Sequence, residues 1–223
     1  MSDKIASTFV PIEKAETLPI GSLPSILTDI YQPEHNIAIW QRILSTQLQH
    51  NVELLIQQAP SLALVLRVTP LNVAEYLREK LADYVCADIL SEDIAMIVDM
   101  FCCLFDVQEV GVRLTILDKP MCPKFHVDHV PCRLVTTYAG SATQWLSSNQ
   151  GLDRTKLGAG SLGQSDDCSG LLAKDSVIHQ MFTGDVALLK GSGWEGNENN
   201  GLVHRSPAYI PNERRLLLTI DFV

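Results

Sequence analysis

The chain has 223 residues, 46% of them apolar and 19% charged, so it can bury a sizeable hydrophobic core and is too apolar for a disordered protein. Its 26 acidic and 17 basic residues give a formal net charge of −9, which argues against nucleic acid as a partner. The N-terminal sequence lacks the pattern of a signal peptide, and no apolar run is long enough to span a membrane. We therefore expect a cytoplasmic protein with neither nucleic-acid nor membrane partners.

Apolar residues recur at steps of three and four in the first half of the chain, which indicates helices. One such pattern covers residues 37–60, and two further helices are predicted to begin at Thr69, which precedes a proline, and at Ser91. Residues 1–35 have weak periodicity and are expected to form an extended arm on the body. Residues 36–106 are therefore predicted to be mainly helical.

After Asp106 the apolar period changes to two, which is typical of half-buried strands, and residues 110–116 show this alternation first. The segments between later strands are too short for crossover helices, so we expect a mostly antiparallel sheet. We predict one α+β domain over residues 1–223, with helices covering one face of a sandwich or barrel at 107–223. The other predicted strands are Cys132–Tyr138, Ser176–Met181, Asp185–Leu189, Leu202–Arg205 and Arg215–Val223.

One long irregular segment, Ser147–Lys174, is rich in Gly, Ser and Asp. A loop of this length in a compact domain is more often functional than a linker, and its composition offers few apolar contacts. We therefore expect a mobile flap over a binding site. Its adjacent carboxylates, Asp166 and Asp167, are interpreted as solvated loop charges or members of a local ion pair rather than as catalytic groups.

A cluster of polar residues directly follows the first predicted strand of the β half. His126 and Asp128 are two residues apart, so in extended backbone they point the same way, while His129 points elsewhere. A later β-like run carries His204, which a distant strand could bring beside this pair. Two histidines and one carboxylate form the facial triad of non-haem Fe(II) sites, with positions left open for substrate and oxygen. The same donors also suit Mn(II), Zn(II) and Ni(II), so they do not select the metal.

The order of these features resembles the double-stranded β-helix Fe(II)/2-oxoglutarate dioxygenases. The order is a strand, the His-x-Asp pair, a strand, a flap, a turn at Gly184, the later His204, and an arginine on the last strand. The resemblance covers residues 110–223 and implies that His126, Asp128 and His204 hold iron. It also implies that 2-oxoglutarate is the cosubstrate and that an arginine on the last strand pairs with its far carboxylate.

We assign that arginine to Arg215, because it shares a strand face with Thr219, whose hydroxyl could join the same carboxylate. A guanidinium binds a carboxylate through two charge-assisted hydrogen bonds, which a lysine cannot reproduce. Arg214 is the alternative, since a shift of one residue reverses the face of the strand. Arg133 and Tyr138 lie on the strand after the His-x-Asp pair, and either is a candidate to contact the bound acid.

A closer resemblance rests on the run CPKFHVDHVPCRLVTTY at residues 122–138, with TQWL at 143–146 and the segment 184–191. These segments are similar to a bacterial family called domain of unknown function 1826, over nearly the whole chain. The family's association with zinc-responsive gene neighbourhoods implies a link to metal homeostasis. The predicted function is thus an Fe(II)/2-oxoglutarate-dependent dioxygenase of unknown substrate, and the alternative is a zinc-binding accessory protein without turnover.

A different zinc arrangement is also open. Cys122, His126, His129 and Cys132 are the ligand types of a small zinc site, and thiolates are soft donors that such a site prefers. Their spacing is irregular, and two prolines in this run restrict how the backbone can wrap around an ion.

Overall fold

The computed structural model describes residues 18–147 and 151–223; part of the predicted arm (1–17) and part of the predicted flap (148–150) lie outside the described residues. The described α-helices are α1 (Thr46–Gln58), α2 (Val73–Lys80) and α3 (Ala87–Phe105). Shorter 3₁₀ helices are Pro24–Tyr31, Arg154–Lys156 and Gly158–Ser161. Among the described helices, none combines the length and the apolar character that a transmembrane segment needs.

The described strands form two sheets. The strands are β1 (Ile20–Gly21), β2 (Ile37–Trp40), β3 (Ala63–Val68), β4 (Val110–Leu117), β5 (Cys132–Ala139), β6 (Gln144–Leu146), β7 (Ile178–Gln180), β8 (Val186–Lys190), β9 (Val203–Arg205) and β10 (Arg215–Phe222). The larger sheet has the order β1-β2-β8-β5-β10-β4-β3, and the smaller sheet has the order β7-β6-β9. Every pair except β1–β2 is antiparallel, which confirms the mostly antiparallel sheet predicted from the short connections.

The helix predicted from Ile37 begins only at Thr46. Ser45 caps it by accepting a hydrogen bond from the backbone N–H of Leu48. The preceding residues of the pattern form strand β2, which pairs with β8, and Ile43 between the two elements is 95% exposed. The prediction is wrong before Thr46, because a short apolar run fits a strand and a helix equally well.

The starts of the next two helices also differ from the prediction. Helix α2 begins at Val73, after Asn72, whose side-chain oxygen accepts a hydrogen bond from the N–H of Thr69. Helix α3 begins at Ala87, so Ser91, predicted as its first residue, lies buried inside it. Tertiary packing therefore extends α3 backward beyond the serine that resembles an N-cap.

Successive residues along the strands of the larger sheet pack against two different layers, one on each face of the sheet. Leu134, Leu188 and Leu218 lie on the side covered by the helices, whereas Val135 and Ala187 face the smaller sheet. A third cluster covers the opposite side of the smaller sheet. Helices on one face and a second sheet on the other are the layers predicted for this α+β chain.

Much of the predicted flap is packed rather than free of contacts. Leu171 is 1% exposed and packs on Phe125 and Val203, and the neighbouring leucines of the segment join the same cluster. Asp166 is buried and accepts a hydrogen bond from the backbone N–H of Phe125 at 3.0 Å. It also forms a salt bridge with Arg205 at 2.8 Å. The expectation of few apolar contacts and the interpretation of Asp166 as a solvated charge are therefore wrong, because this segment covers the outer face of the smaller sheet.

Candidate metal centre

Two histidines that are far apart in sequence are neighbours across a β-bridge. The backbone N–H of His126 donates to the carbonyl of His204 at 3.0 Å, and the reciprocal bond is also 3.0 Å. Their ring centroids lie 4.5 Å apart. On its other side, His204 pairs with Trp145 of β6, which packs in the cluster between the two sheets. Directly paired residues share a sheet face, so both imidazoles face the space between the sheets.

The hydrogen bonds of the two rings leave one nitrogen of each for a ligand. Nδ1 of His126 lies 3.0 Å from the carbonyl oxygen of Lys124, and Nδ1 of His204 lies 3.2 Å from that of Leu202. A carbonyl oxygen only accepts, so Nδ1 carries the proton in each neutral ring and Nε2 presents its lone pair. Protein carbonyls orient metal-binding histidines in this way.

Asp128 completes the group. Its Oδ1 lies 3.7 Å from Nε2 of His126, and its Oδ2 lies 3.5 Å from Nε2 of His204. One potential ligand atom from each of the three residues lies within 4.8 Å of the others, and among the described residues no other such group occurs. His129 lies outside it, since its Nδ1 contacts Oγ of Ser192 at 3.0 Å. The structure thus brings together the three residues singled out in the sequence.

Local electrostatics favour the protonation states that bind a cation. Burial raises the pKa of Asp128, but His204, Arg133 and His126 outweigh it and lower the pKa to about 2. Burial, reinforced by the neighbouring His204, lowers the pKa of His126 below its ordinary value. At neutral pH the carboxylate is charged and the His126 ring is neutral, as metal ligation requires.

Arg133 has different partners from those expected. Its Nε and Nη2 donate to the two oxygens of Asp221 at 2.7 and 3.0 Å, while Nη1 donates to Oδ2 of Asp128 at 2.8 Å. We therefore correct its role from contact with a bound acid to contact with two carboxylates. The contact with Asp221 was not predicted from the sequence. The signal available was an acidic residue on the face of β10 that also carries Arg215.

Tyr138 lies on the wrong side of the sheet for the expected role. It belongs to the cluster packed against the helices, and its hydroxyl donates to Asp93 of α3 at 2.6 Å. Arg42 also binds Asp93, through two hydrogen bonds of 2.6 and 2.9 Å. The expectation that Tyr138 contacts an acid between the sheets is corrected accordingly.

Arg215 carries buried hydrogen-bond donors that have no partner among the residues that the structure describes. The residue is 6% exposed, and its Nε and Nη1 make no hydrogen bond to that part of the chain. Leu216, Leu218 and Ile220 pack against the helices, so the alternate residues, which include Arg215 and Thr219, face the other way. Burial lowers the pKa of Arg215 to about 10, opposed in part by Glu213. Unpaired buried donors are costly and mark a place where an acceptor would be stabilised.

Arg214, the alternative to Arg215, is on the opposite side of the strand. Its guanidinium is exposed and lies 3.4 Å from the carbonyl oxygen of Ile56 in α1. Of the two neighbouring arginines, only Arg215 is therefore buried, on the side of the larger sheet that faces away from the helices.

A glycine-rich segment supports the loop that carries Asp128. The backbone N–H of Ser192 donates to the carbonyl of Asp128 at 2.9 Å, and that of Gly191 donates to the carbonyl of Pro131 at 2.9 Å. A Cβ at position 191 would overlap the carbonyl oxygen of Val130 and lie 2.7 Å from that of Asp128. Only glycine fits this close approach of two backbones.

Gly191→Ala is therefore expected to displace the loop that carries Asp128 and to lower the free energy of unfolding by about 1–3 kcal/mol. Gly21→Ala is the control, because its Cβ would lie 3.5 Å from Ile26, an ordinary contact. Urea denaturation of both variants measures the difference. Equal stabilities would contradict the close approach.

The zinc arrangement with two cysteines does not form. Cys132 is buried in the cluster on the helix side, and burial raises the pKa of its thiol, so it is neither charged nor near the imidazoles. Cys122 is exposed and His129 faces Ser192. The alternative site of Cys122, His126, His129 and Cys132 is therefore wrong, because strand β5 turns Cys132 away.

Comparisons with known proteins agree with this architecture. A family model described as "Protein of unknown function (DUF1826)" matches residues 21–221. The structure is similar to dioxygenase for auxin oxidation 1 from Arabidopsis thaliana in complex with 2-oxoglutarate, with 10% identity and a TM-score of 0.52, covering 93% of this chain and 92% of that one. It is also similar to JOX2 in complex with 2OG, Fe and JA, with 9% identity and a TM-score of 0.50, covering 92% of this chain and 74% of that one. No curated protein sequence matches the chain. At these identities the likeness establishes the fold, a double-stranded β-helix.

Proposed function

We propose that this chain, which belongs to the DUF1826 family, binds Fe(II) through His126, Asp128 and His204. It would use 2-oxoglutarate as the cosubstrate to oxidise a substrate. Two neutral imidazoles and one carboxylate are the donors that non-haem Fe(II) oxygenases use, with open positions left for other ligands. The dioxygenase-like fold supports this function. The observation that carries the proposal is the convergence of these three side chains on one small space between the sheets.

The residues present fit both groups. For the metal, Nε2 of each histidine and an oxygen of Asp128 are available, because the Nδ1 atoms are engaged by backbone carbonyls. For 2-oxoglutarate, Nε and Nη1 of Arg215 are donors that find no acceptor among the described residues, and a carboxylate supplies two acceptors in matching geometry. Burial also strengthens this pairing, because few water molecules compete for the guanidinium.

The chain's own residues would bind 2-oxoglutarate and orient it. Arg215 would hold the far carboxylate of 2-oxoglutarate, and Thr219, further along the same face of β10, would add a hydroxyl. Apolar residues between the sheets, including Val135 and Ala187, would exclude water from this space. Bound iron would supply the oxidising chemistry, while the protein controls position and access.

The test uses protein purified without a chelating tag, first analysed for its metal content and then reconstituted without oxygen. We expect Fe(II) plus 2-oxoglutarate to produce a visible charge-transfer band that requires both components. Bound zinc that Fe(II) cannot replace, with no band, would contradict the oxygenase. That result would instead favour a zinc-binding accessory protein, since imidazole and carboxylate donors also suit zinc.

A further inference from the structure

We propose that Asp221 is a positioning residue for the metal centre, acting through Arg133 on the carboxylate of Asp128. The inference rests on the proposed function, because it concerns how Asp128 presents itself to a cation. Asp221 lies near the end of β10, one position beyond the last pair of the β10–β5 register, Ile220 opposite Leu134. That position places it beside Arg133 on the neighbouring strand.

The guanidinium of Arg133 is held by Asp221 and donates a hydrogen bond to Asp128. Asp221 receives two hydrogen bonds from it, at 2.7 and 3.0 Å, which fix both the plane and the rotation of the group. The remaining nitrogen, Nη1, then points to Oδ2 of Asp128 at 2.8 Å. The exposed fraction is 25% for the side chain of Arg133, 20% for Asp221 and 13% for Asp128, so solvent does not replace the contacts readily.

This contact distinguishes the two oxygens of Asp128. Oδ2 accepts the hydrogen bond from Arg133, whereas Oδ1 accepts none from the described residues and lies 3.7 Å from Nε2 of His126. When a hydrogen bond holds one oxygen of a carboxylate in this way, the other oxygen is left as the single atom that can coordinate a metal ion. We infer that Asp128 binds the ion through Oδ1 alone, which keeps further coordination positions open.

Asp221 also balances the charge of Arg133. A cationic guanidinium 2.8 Å from a metal-binding carboxylate repels the incoming ion and competes with it for the oxygen. The bidentate carboxylate of Asp221 offsets that charge while leaving the hydrogen bond to Oδ2 in place. The arrangement therefore orients Asp128 without making the centre repel a cation.

Asp221→Asn tests this inference with Mn(II) and Co(II) as probes. The variant keeps the size of the side chain but loses its negative charge and one of the two oxygens that accept hydrogen bonds from Arg133. We therefore expect about 10–100-fold weaker Mn(II) binding. The visible spectrum of the Co(II) protein is expected to change, because Asp128 no longer binds through a single fixed oxygen. Arg133→Lys should show the same two effects, since an ammonium group cannot bind both carboxylates in this geometry.

Asp93→Asn is the matched control. Asp93 likewise accepts two hydrogen bonds from one arginine, Arg42, but it lies on α3, on the helix side of the sheet. We expect a comparable loss of stability in thermal denaturation, with the Mn(II) affinity and the Co(II) spectrum unchanged.

The outcomes separate the two proposals. If the unmodified protein binds neither Mn(II) nor Co(II), the metal centre itself fails and this inference falls with it. If the unmodified protein binds them and Asp221→Asn gives the same affinity and spectrum, only the role of Asp221 is overturned. An equal loss of affinity in Asp93→Asn would also overturn it, because the effect would then follow general stability.

Discussion

His204→Ala is expected to weaken Mn(II) binding by more than about 100-fold, since changes to residues that merely support metal ligands already cost about 10–100-fold. The substitution removes one of three donors and leaves Asp128 and His126 with too few contacts to hold a cation against water. Isothermal titration with Mn(II) measures the loss. Circular dichroism checks that the sandwich is retained, because β9 keeps its backbone pairing with β6.

His129→Ala is the control for this prediction. His129 directly follows Asp128 in sequence but contacts Ser192 instead of the cluster. We expect it to bind Mn(II) as the unmodified protein does. Equal losses in both variants, or normal binding by His204→Ala, would contradict the assignment of His204.

Arg215→Lys is expected to leave metal binding intact and to weaken 2-oxoglutarate strongly. The lysine keeps the positive charge but loses the paired N–H donors of the guanidinium. Breaking a buried, hydrogen-bonded charge pair costs about 2–5 kcal/mol, or about 30-fold or more in affinity. Nε and Nη1 have no partner among residues 18–147 and 151–223, so a bound carboxylate would be their acceptor and its affinity would report their loss directly. Calorimetric titration of 2-oxoglutarate into the Mn(II)-loaded protein measures this affinity.

Arg214→Lys is the matched control, since Arg214 is exposed on the opposite face of the chain. It should bind 2-oxoglutarate like the unmodified protein. If the unmodified protein binds no 2-oxoglutarate, or both variants bind it equally well, Arg215 does not hold a carboxylate.

The sequence predicted strands β4, β5 and β7 to β10 and the pair of His126 and Asp128, because both depend on local spacing. The alternation in β4 and β10 fixes which residues face the helices, and the spacing of His126 and Asp128 gives them a common direction. Similarity to a known order of features then supplied His204. The same alternation selects Arg215 over Arg214, once β10 is known to begin at Arg215.

The remaining features depend on contacts between distant segments, which no local pattern reveals. Asp221 lies 88 residues from Arg133, and Gly191 contacts a loop about 60 residues earlier. The packing of Leu171 on Phe125 turns a polar-looking segment into a cover for the smaller sheet. Strand β2 was predicted as helix because only its pairing with β8 distinguishes the two. The single-domain organisation stays a prediction.

A crystal structure of the protein with Mn(II) and 2-oxoglutarate, with anomalous scattering data for manganese, would locate both proposed ligands in one experiment. We predict one anomalous peak, at about 2.0–2.2 Å from Nε2 of His126, Nε2 of His204 and an oxygen of Asp128. The far carboxylate of 2-oxoglutarate is expected to accept hydrogen bonds from the guanidinium of Arg215. A peak coordinated by other residues, or 2-oxoglutarate bound away from Arg215, would rule out the proposed site.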